Sequence, residues 1–347
     1  MAPCANDDLF PRTGHMIVVT GGTGFVGREI CRRLAGQGMP VRAVARHAPA
    51  QPLPEGVTFF PANVTRAISL REALAGAKAV IHCVGIIRET GTSTFDRIHR
   101  QAVAETLAAT HRAGVTRFVL ISALGTRPTA SSRYHQTKWA GEQLVRQSEL
   151  AHTILRPPVI YGPGDQFTNL LAAWMRPPLS WLTGGFLGIP GGDSVQLCPA
   201  SVGEIAEAAV RSLGQQGSVG KTFDLAGSPV SFKELSLEIA RAMGLRPTWV
   251  EQPPDVLLGM APWLWLTASK PVLHPVPLPL CRIAAALAER LLPSPPLTTD
   301  QVAMLEEGQS GDSTLAAEIL GFRPGPLAAG LAAYLAPRAG GIADRRP

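Results

Sequence analysis

The chain has 347 residues, of which 46% are hydrophobic and 17% charged, with a formal net charge of +6. That much apolar material supports a large core in one or two domains. The mild positive balance suits an anionic ligand or surface, and the lack of any Lys/Arg-rich run interleaved with aromatics argues against nucleic acid as a partner.

In chain order, Met1–His15 has no basic stretch followed by an apolar one and reads as a short leader rather than a signal peptide. Met16–Thr20 is an apolar run ending in glycines, the mark of a buried strand, and Gly24–Leu34 has helical spacing of Phe25, Val26, Ile30 and Leu34. Strands are expected at Val41–Ala45, Val57–Pro61, Ala79–Cys83, Arg117–Ser122 and His152–Arg156. Helices are expected at Leu70–Ala75, Ile98–Ala113 and Tyr134–Leu150. Strands alternating with helices at this pace build a parallel sheet covered on both faces.

Beyond Pro157 proline and glycine become frequent. Expected there are a strand at Thr222–Ala226, a helix at Ser231–Met243 opened by a Ser231/Glu234 capping box, and a strand near Trp249–Val250. Helices near Thr298–Glu307 and Leu327–Leu335 follow. The fold class is thus α/β: a doubly wound parallel sheet over 16–160, a smaller mixed α/β C-terminal lobe over 161–336, and a disordered tail over 337–347. Val256–Ser269 carries no charge but is too short to span a bilayer, so no transmembrane helix is expected. Pro253–Pro293, with Trp263 and Trp265, reads as a hydrophobic cap on the core, with a docking surface as the alternative. Cys4, Cys31, Cys83, Cys198 and Cys281 show no CxxC and no histidine at ligand spacing. Neither a disulfide framework nor a metal site is expected, and the usage fits a reducing cytoplasm.

The first strand runs into Thr20-Gly-Gly-Thr-Gly-Phe-Val-Gly27, with Gly21, Gly24 and Gly27 in a GxxGxxG pattern. Gly21 permits a tight turn, Gly24 lets the backbone approach a pyrophosphate, and Gly27 lets the helix pack against the strand. The opening helix then offers free amides and the positive end of its dipole to an anion. A carboxylate at the end of the second strand would accept from an adenosine ribose; here Arg46 stands there and no Asp or Glu occurs before Glu55. A guanidinium suits a 2′-phosphate, so NADP(H) is expected ahead of NAD(H).

With these motifs placed, the chain resembles a short-chain dehydrogenase/reductase of the extended or atypical branch. The residues that carry the resemblance are TGGTGFVG at 20–27, VGII at 84–87, FVLISALG at 118–125, Tyr134-His-Gln-Thr-Lys138 and LRPPVIYGPGDQF at 155–167. Within that superfamily it more closely resembles the NADPH-binding accessory subunit of respiratory complex I and its bacterial relatives, through SALG at 122–125, SRY at 132–134, GPGDQF at 162–167 and PLTTDQ at 296–301. The resemblance implies a Rossmann-type fold with Thr23, Gly24, Phe25 and Val26 along the pyrophosphate. It puts Asn63 and Val64 at the adenine edge, Cys83, Val84 and Gly85 beneath the cofactor, and Pro157 to Val159 beside the nicotinamide. Asn63 departs from the aspartate usual in extended members, though an amide can still accept from and donate to adenine.

Tyr134 and Lys138 lie four apart on a predicted helix and share one side of it. A neighbouring ammonium stabilises a phenolate, so Tyr134 is the candidate acid–base, with Lys138 also on the nicotinamide ribose. Ser122, at the end of the fifth strand, is the candidate to orient the substrate oxygen and to meet the cofactor. Extended members often carry the catalytic hydroxyl further along that strand end, where this chain has Ala123 and Leu124. Two functions remain open. One is an oxidoreductase, epimerase or dehydratase acting at Tyr134; the other is an accessory or assembly protein in which NADP(H) locks the fold beside a membrane complex. A sensor of the NADPH/NADP ratio is a third. The expected location is cytoplasmic, peripheral at the inner face of the membrane.

Overall fold

β1 (Met16–Thr20) is buried from Ile17 to Thr20, which places it inside a sheet covered on both faces. In the computed structural model, which describes residues 14–177, 179–182, 185–251, 271–293 and 295–337, it is a central strand of a seven-stranded parallel sheet. It is followed by α1 (Phe25–Gly36), β2 (Val41–Ala45), β3 (Val57–Pro61), α2 (Ala67–Leu70), β4 (Ala77–His82), α3 (Ala102–Arg112), β5 (Arg117–Ile121), α4 (Arg133–Gln147) and β6 (Ala151–Arg156). In the second half come β7 (Ile160–Tyr161), α5 (Thr168–Trp174), α6 (Leu179–Leu182), β8 (Phe186–Pro190), β9 (Gln196–Leu197), β10 (Ala200–Ser201), α7 (Val202–Gly214), β11 (Lys221–Asp224), β12 (Val230–Ser231) and α8 (Phe232–Ala242). The chain continues with β13 (Thr248–Trp249), β14 (Val272–Val276), α9 (Leu278–Leu291), α10 (Thr299–Glu307), α11 (Thr314–Leu320) and α12 (Leu327–Leu335).

The sheet runs β11-β6-β5-β4-β1-β2-β3. Val19 pairs with Ala43 of β2 on one side and Ile81 of β4 on the other. The chain winds outward from β1 to β3, then crosses back to β4, so the strand order reverses between β1 and β4. That reversal opens a crevice at the C-terminal strand ends, the usual place for a ligand in such sheets. α1 buries Gly27, Ile30, Cys31 and Leu34, a one-face stripe at helical spacing. On the β4–β5 side, Val80, Phe118 and Ile154 pack against Ala102, Val103 and Leu107 of α3 and Val145 of α4.

Two expected elements come out differently. The helix expected at Leu70–Ala75 forms earlier, at Ala67–Leu70, because the Glu105 carboxylate accepts from the Ala67 amide at 2.8 Å and fixes its start. The strand expected at Thr222–Ala226 in the C-terminal lobe is β11, which joins the main sheet parallel to β6.

The chain divides into two compact units. The first holds residues up to Pro158, and the chain returns to it over Val202–Gly227 and Gln309–Pro324. Arg117 ties the first return in place. Its buried guanidinium donates to the Ala151 carbonyl, Thr153 Oγ1 and the Ser212 carbonyl, each at 2.6 Å, and to Ser218 Oγ at 3.0 Å. α7 lies along α1, with an Arg33–Glu207 ion pair at 2.5 Å.

The second unit packs α8 (Phe232, Leu235, Ile239) with Leu331 and Leu335 of α12 and Leu273 of β14. The Ser231/Glu234 capping box opens α8, and a second, Thr298/Gln301, opens α10. Asp165 orders the Gly162–Thr168 loop by accepting from the amides of Gly162, Phe167 and Thr168. α9 turns its charges toward α10, through Arg282 to Glu306 and Glu289 to the Thr299 amide. Its outer face is the apolar row Leu280, Ile283, Leu287 and Leu291. Among the described residues no helix is long and apolar enough to cross a membrane. Cys4, the Trp263/Trp265 stretch and the tail past 337 fall outside the described residues.

Candidate functional site

The Thr20–Gly27 loop sits at the reversal between β1 and β4. Gly21 has φ +74° and donates its amide to the Val44 carbonyl at 2.8 Å. A Cβ there would press on the Cys83 carbonyl carbon and the Val84 nitrogen at 3.2 Å. At Gly27 a Cβ would stand 2.2 Å from the Gly21 carbonyl oxygen, which fixes glycine where helix meets turn. Gly22, which the GxxGxxG pattern leaves unassigned, proves equally constrained: its Cβ would lie 2.8 Å from that of Ala43.

Gly24 is different. It is exposed, with φ −79° and ψ 175°, and it caps α1 without any side-chain hydrogen bond. The first turn holds no acidic residue. Phe25, Val26 and Gly27 therefore present amides that the helix itself cannot pair, with no carboxylate to repel an anion. This cradle fits a pyrophosphate.

At the end of β2, Arg46 is exposed and takes no hydrogen bond or ion pair from the described residues. Sequence reasoning missed a second guanidinium: Arg28, in the first turn of α1, reaches the Gln51 and Pro52 carbonyls in the segment after Arg46. Its place one residue after Gly27 was the available signal. At the end of β3, Asn63 Oδ1 accepts from the amide and hydroxyl of Thr65, at 3.0 and 2.9 Å. That side-chain oxygen is committed to a local turn. Val64 is buried beside it in the core.

Past β4, the Cys83 amide donates to the Thr20 carbonyl at 2.9 Å, so Cys83, Val84 and Gly85 continue directly from the glycine loop's neighbour strand. Burial pushes the Cys83 thiol well above its ordinary range, and that of Cys31 up to about 12, so neither is a ready nucleophile. Gly85 leaves room for Lys138: a Cβ there would lie 3.1 Å from Nζ. Lys138 is buried, donates to the Ile121 carbonyl at 3.2 Å, and stands 5.9 Å from the Tyr134 ring centroid. Burial pulls its ammonium down to about 8, against the upward pull of Glu142 and Cys83. The predicted pair is therefore brought together, on the same side of α4.

Two buried histidines, His82 and His99, flank this pair. His82 Nδ1 lies 2.9 Å from Thr20 Oγ1, and burial lowers its pKa to about 3. His99 meets Tyr134 edge to face, with ring centroids 5.1 Å apart.

Ser122 is engaged within the protein. Its hydroxyl donates to Glu142 Oε1 at 2.6 Å, within a buried cluster rather than toward a substrate. Glu142 also takes Arg156 in a bidentate pair at 2.9 and 2.7 Å and Arg146 at 2.7 Å, and both guanidiniums lie over the Trp139 ring. A buried carboxylate needs every one of these donors, which is why the serine proton goes there. The next residues, Ala123 and Leu124, bring no hydroxyl. Pro157 is buried in the first unit and accepts from the Leu124 amide at 2.7 Å, while Val159 belongs to the second unit's core.

Residues 21–169 match the NAD(P)H-binding family. A ceramide reductase of Caulobacter vibrioides is 35% identical over 155 residues, covering 44% of this chain and 49% of that protein. The mitochondrial NADH dehydrogenase [ubiquinone] 1 alpha subcomplex subunit 9 of Arabidopsis thaliana is 29% identical over 265 residues, covering 72% and 63%. The chain thus spans about half of the first relative's length and less than two thirds of the second's. A (4-alkanoyl-5-oxo-2,5-dihydrofuran-3-yl)methyl phosphate reductase of Streptomyces griseus is 30% identical over 248 residues, covering 68% of this chain and 77% of that one. A nucleoside-diphosphate-sugar epimerase structure from Staphylococcus aureus, 17% identical, shares the fold with a TM-score of 0.66 over 91% of this chain and 99% of that one.

Proposed function

Because this chain belongs to the extended short-chain dehydrogenase/reductase superfamily of NAD(P)-binding proteins, we propose that it retains NADP(H) chiefly as a structural cofactor, in an accessory or assembly protein of a membrane-associated respiratory complex. The observation that carries this reading is Ser122. Its proton is held by Glu142, and Ala123 and Leu124 follow it, so this hydroxyl has no proton left to donate to a substrate oxygen. The likeness to alpha subcomplex subunit 9 over 72% of the chain supports the choice of partner. The apolar outer row of α9 suits a docking role at the inner face of a membrane, on the cytoplasmic side.

In this reading the Thr23–Val26 segment lies along the pyrophosphate, with the Phe25 and Val26 amides donating to it, and Arg46, aided by Arg28, holds the 2′-phosphate in preference to the bare ribose of NAD(H). Asn63 and Val64 meet the adenine. Cys83, Val84, Gly85 and Pro157 line the nicotinamide half, and Lys138 donates to its ribose.

A second reading is favoured by Tyr134 and Lys138 themselves. A buried ammonium close to a phenol is the arrangement that lets a tyrosine exchange a proton with a carbonyl or hydroxyl. A bound nicotinamide would supply or accept the hydride. The two reductase relatives accord with it.

The test is made on protein as isolated. It should show the near-ultraviolet absorbance and fluorescence of a reduced nicotinamide, keep that signal through a panel of carbonyl and quinone compounds, and copurify with respiratory subunits. Decay of the signal on adding one such compound, stopped by Tyr134→Phe, would replace the structural reading with the reductase one. No affinity for any pyridine nucleotide would end both.

A further inference from the structure

His99 is a buried side chain that the cofactor reading does not use, and it contacts Tyr134, Thr137 and the Ile86 amide. It lies in Asp96–Gln101, a π-helical stretch leading into α3. Such wide turns insert a residue into the helix, and they occur often at functional sites. Here Ile98 and His99 are buried, and the His99 backbone presses on α4. Gly141 permits this, since a Cβ there would lie 2.2 Å from the His99 carbonyl oxygen.

The ring is held from two directions. The Ile86 amide donates to Nε2 at 3.2 Å, and Nδ1 lies 3.0 Å from Thr137 Oγ1. A backbone amide can only donate, so Nε2 carries the lone pair and Nδ1 the proton. Thr137 Oγ1 accepts that proton, because its own goes to the carbonyls of Arg133 and Tyr134, at 2.8 and 3.0 Å. The ring stacks on Phe95 at 5.4 Å and presents an edge contact to Tyr134 at 5.1 Å.

We propose that His99 is a positioning residue for the Tyr134–Lys138 pair: as a neutral Nδ1–H imidazole it ties the Gly85–Ile86 segment after β4 to the first turns of α4, and so fixes where the phenol and the ammonium stand. Gly85 is the residue that gives Lys138 Nζ its space, so the Ile86 bond sets the wall against which that ammonium rests. The Thr137 bond holds the turn between Tyr134 and Lys138. Ionising the ring would set two donors face to face at Ile86 and add a cation beside Lys138. Consistent with this, burial and Lys138 hold its pKa down to about 2. The inference rests on the reading of Tyr134 and Lys138 as the pair facing the nicotinamide.

The experiment uses the full chain labelled with 13Cζ-tyrosine, which gives three signals, from Tyr134, Tyr161 and Tyr334. Tyr134→Phe assigns the first. In His99→Leu the Tyr134 resonance should move while the other two stay, and NADPH, followed by its fluorescence, should bind about five- to tenfold more weakly, the weight of a lost hydrogen bond. His99→Gln can restore the acceptor for Ile86, and His99→Asn the donor for Thr137. Each should return the Tyr134 signal part of the way, which also decides the matter if His99→Leu fails to fold. A Tyr134 signal and an NADPH affinity that stay at wild-type values in all three variants, with only the melting temperature lowered, would reduce His99 to packing. Absence of NADPH binding in the unaltered chain sinks the proposed function instead, while the Tyr134 signal, read without cofactor, still decides the role of His99.

Discussion

Lys138 is held in its site against its own preference for water. Its pKa of about 8, below the ordinary 10.5, means that the folded state binds a proton there less readily than the unfolded chain. For pH below 8 both states are protonated and the full penalty applies; between 8 and 10.5 the unfolded chain holds more proton, so stability rises with pH. Lys138→Met should therefore stabilise the fold at pH 7, on the order of 1–3 kcal/mol. The gain should shrink above pH 8, and NADP(H) affinity should fall throughout. Urea unfolding at pH 7 and pH 9.5 measures the first, and a fluorescence titration the second. A loss of stability at pH 7 would show that Lys138 is a structural anchor rather than a strained functional group. Arg46 is the converse case, an exposed cation with no partner among the described residues. Arg46→Ala should leave urea unfolding unchanged within about 0.5 kcal/mol. It should weaken NADP(H) at least about tenfold, the scale of one charge-assisted pair with a phosphate, and NAD(H) far less. Equal loss of both cofactors in the titration refutes its assignment to the 2′-phosphate.

At the scale of elements, the opening of α1 separates two kinds of glycine. Gly27 is shut in by the Gly21 carbonyl, whereas Gly24 has an ordinary φ and the nearest atom to its virtual Cβ is at 3.3 Å. Gly24→Ala should keep its melting temperature close to wild type yet bind NADP(H) at least about tenfold more weakly, because the methyl stands where the pyrophosphate approaches. Gly27→Ala should lose binding and also about 1–3 kcal/mol or more of stability, the cost of overpacking. Identical behaviour of the two variants in melting and titration would mean that the exposed face of Gly24 meets no ligand. This loop was legible in the sequence because the chemistry is in the backbone: glycines at set intervals between a buried strand and an amphipathic helix. The clustering of Tyr134 with Lys138 was legible for the same reason, a helical period. Ser122 was not. Which way a strand-end hydroxyl points depends on Glu142, twenty residues on, and on Arg156 and Arg146, which reach it from β6 and α4. Nor was His99, because a π-helical turn breaks the very period by which helix faces are read, and its partners Ile86 and Thr137 lie on different elements.

At the scale of the molecule, the alternating strands and helices up to β6 announce their sheet, but the seventh strand does not. β11 comes after a proline- and glycine-rich stretch, and what returns it to β6 is a buried arginine at the start of β5, a residue type that sequence reading assigns to the surface. The first unit thus closes around polar groups that must keep their native protonation. His82 and His99 are both inside it, with pKa values of about 3 and about 2. Unfolded, each would titrate near 6.5. Above that pH neither state carries the proton and the rings cost nothing. As the pH falls below 6.5 the unfolded chain takes up two protons at these rings that the folded unit refuses, so stability declines by up to about 1.4 kcal/mol per pH unit for each ring, and His152, which burial also holds below the ordinary range, adds to the decline. Lys138 is protonated in both states over this range and adds no slope. Against a total on the order of 5–15 kcal/mol, two such rings bring acid unfolding well within reach two or three units below neutrality. Urea midpoints should therefore drop steeply between pH 6.5 and pH 4.5. His82→Asn, which can keep a partner for Thr20 without a titrating ring, should lower that slope by up to about 1.4 kcal/mol per pH unit, and the pair His82→Asn, His99→Gln by about twice as much. Midpoints that stay level from pH 6.5 to pH 4.5 in the unaltered chain would show that these rings accept protons in the folded state, and with that the neutral imidazole between Ile86 and Thr137 would be lost as well.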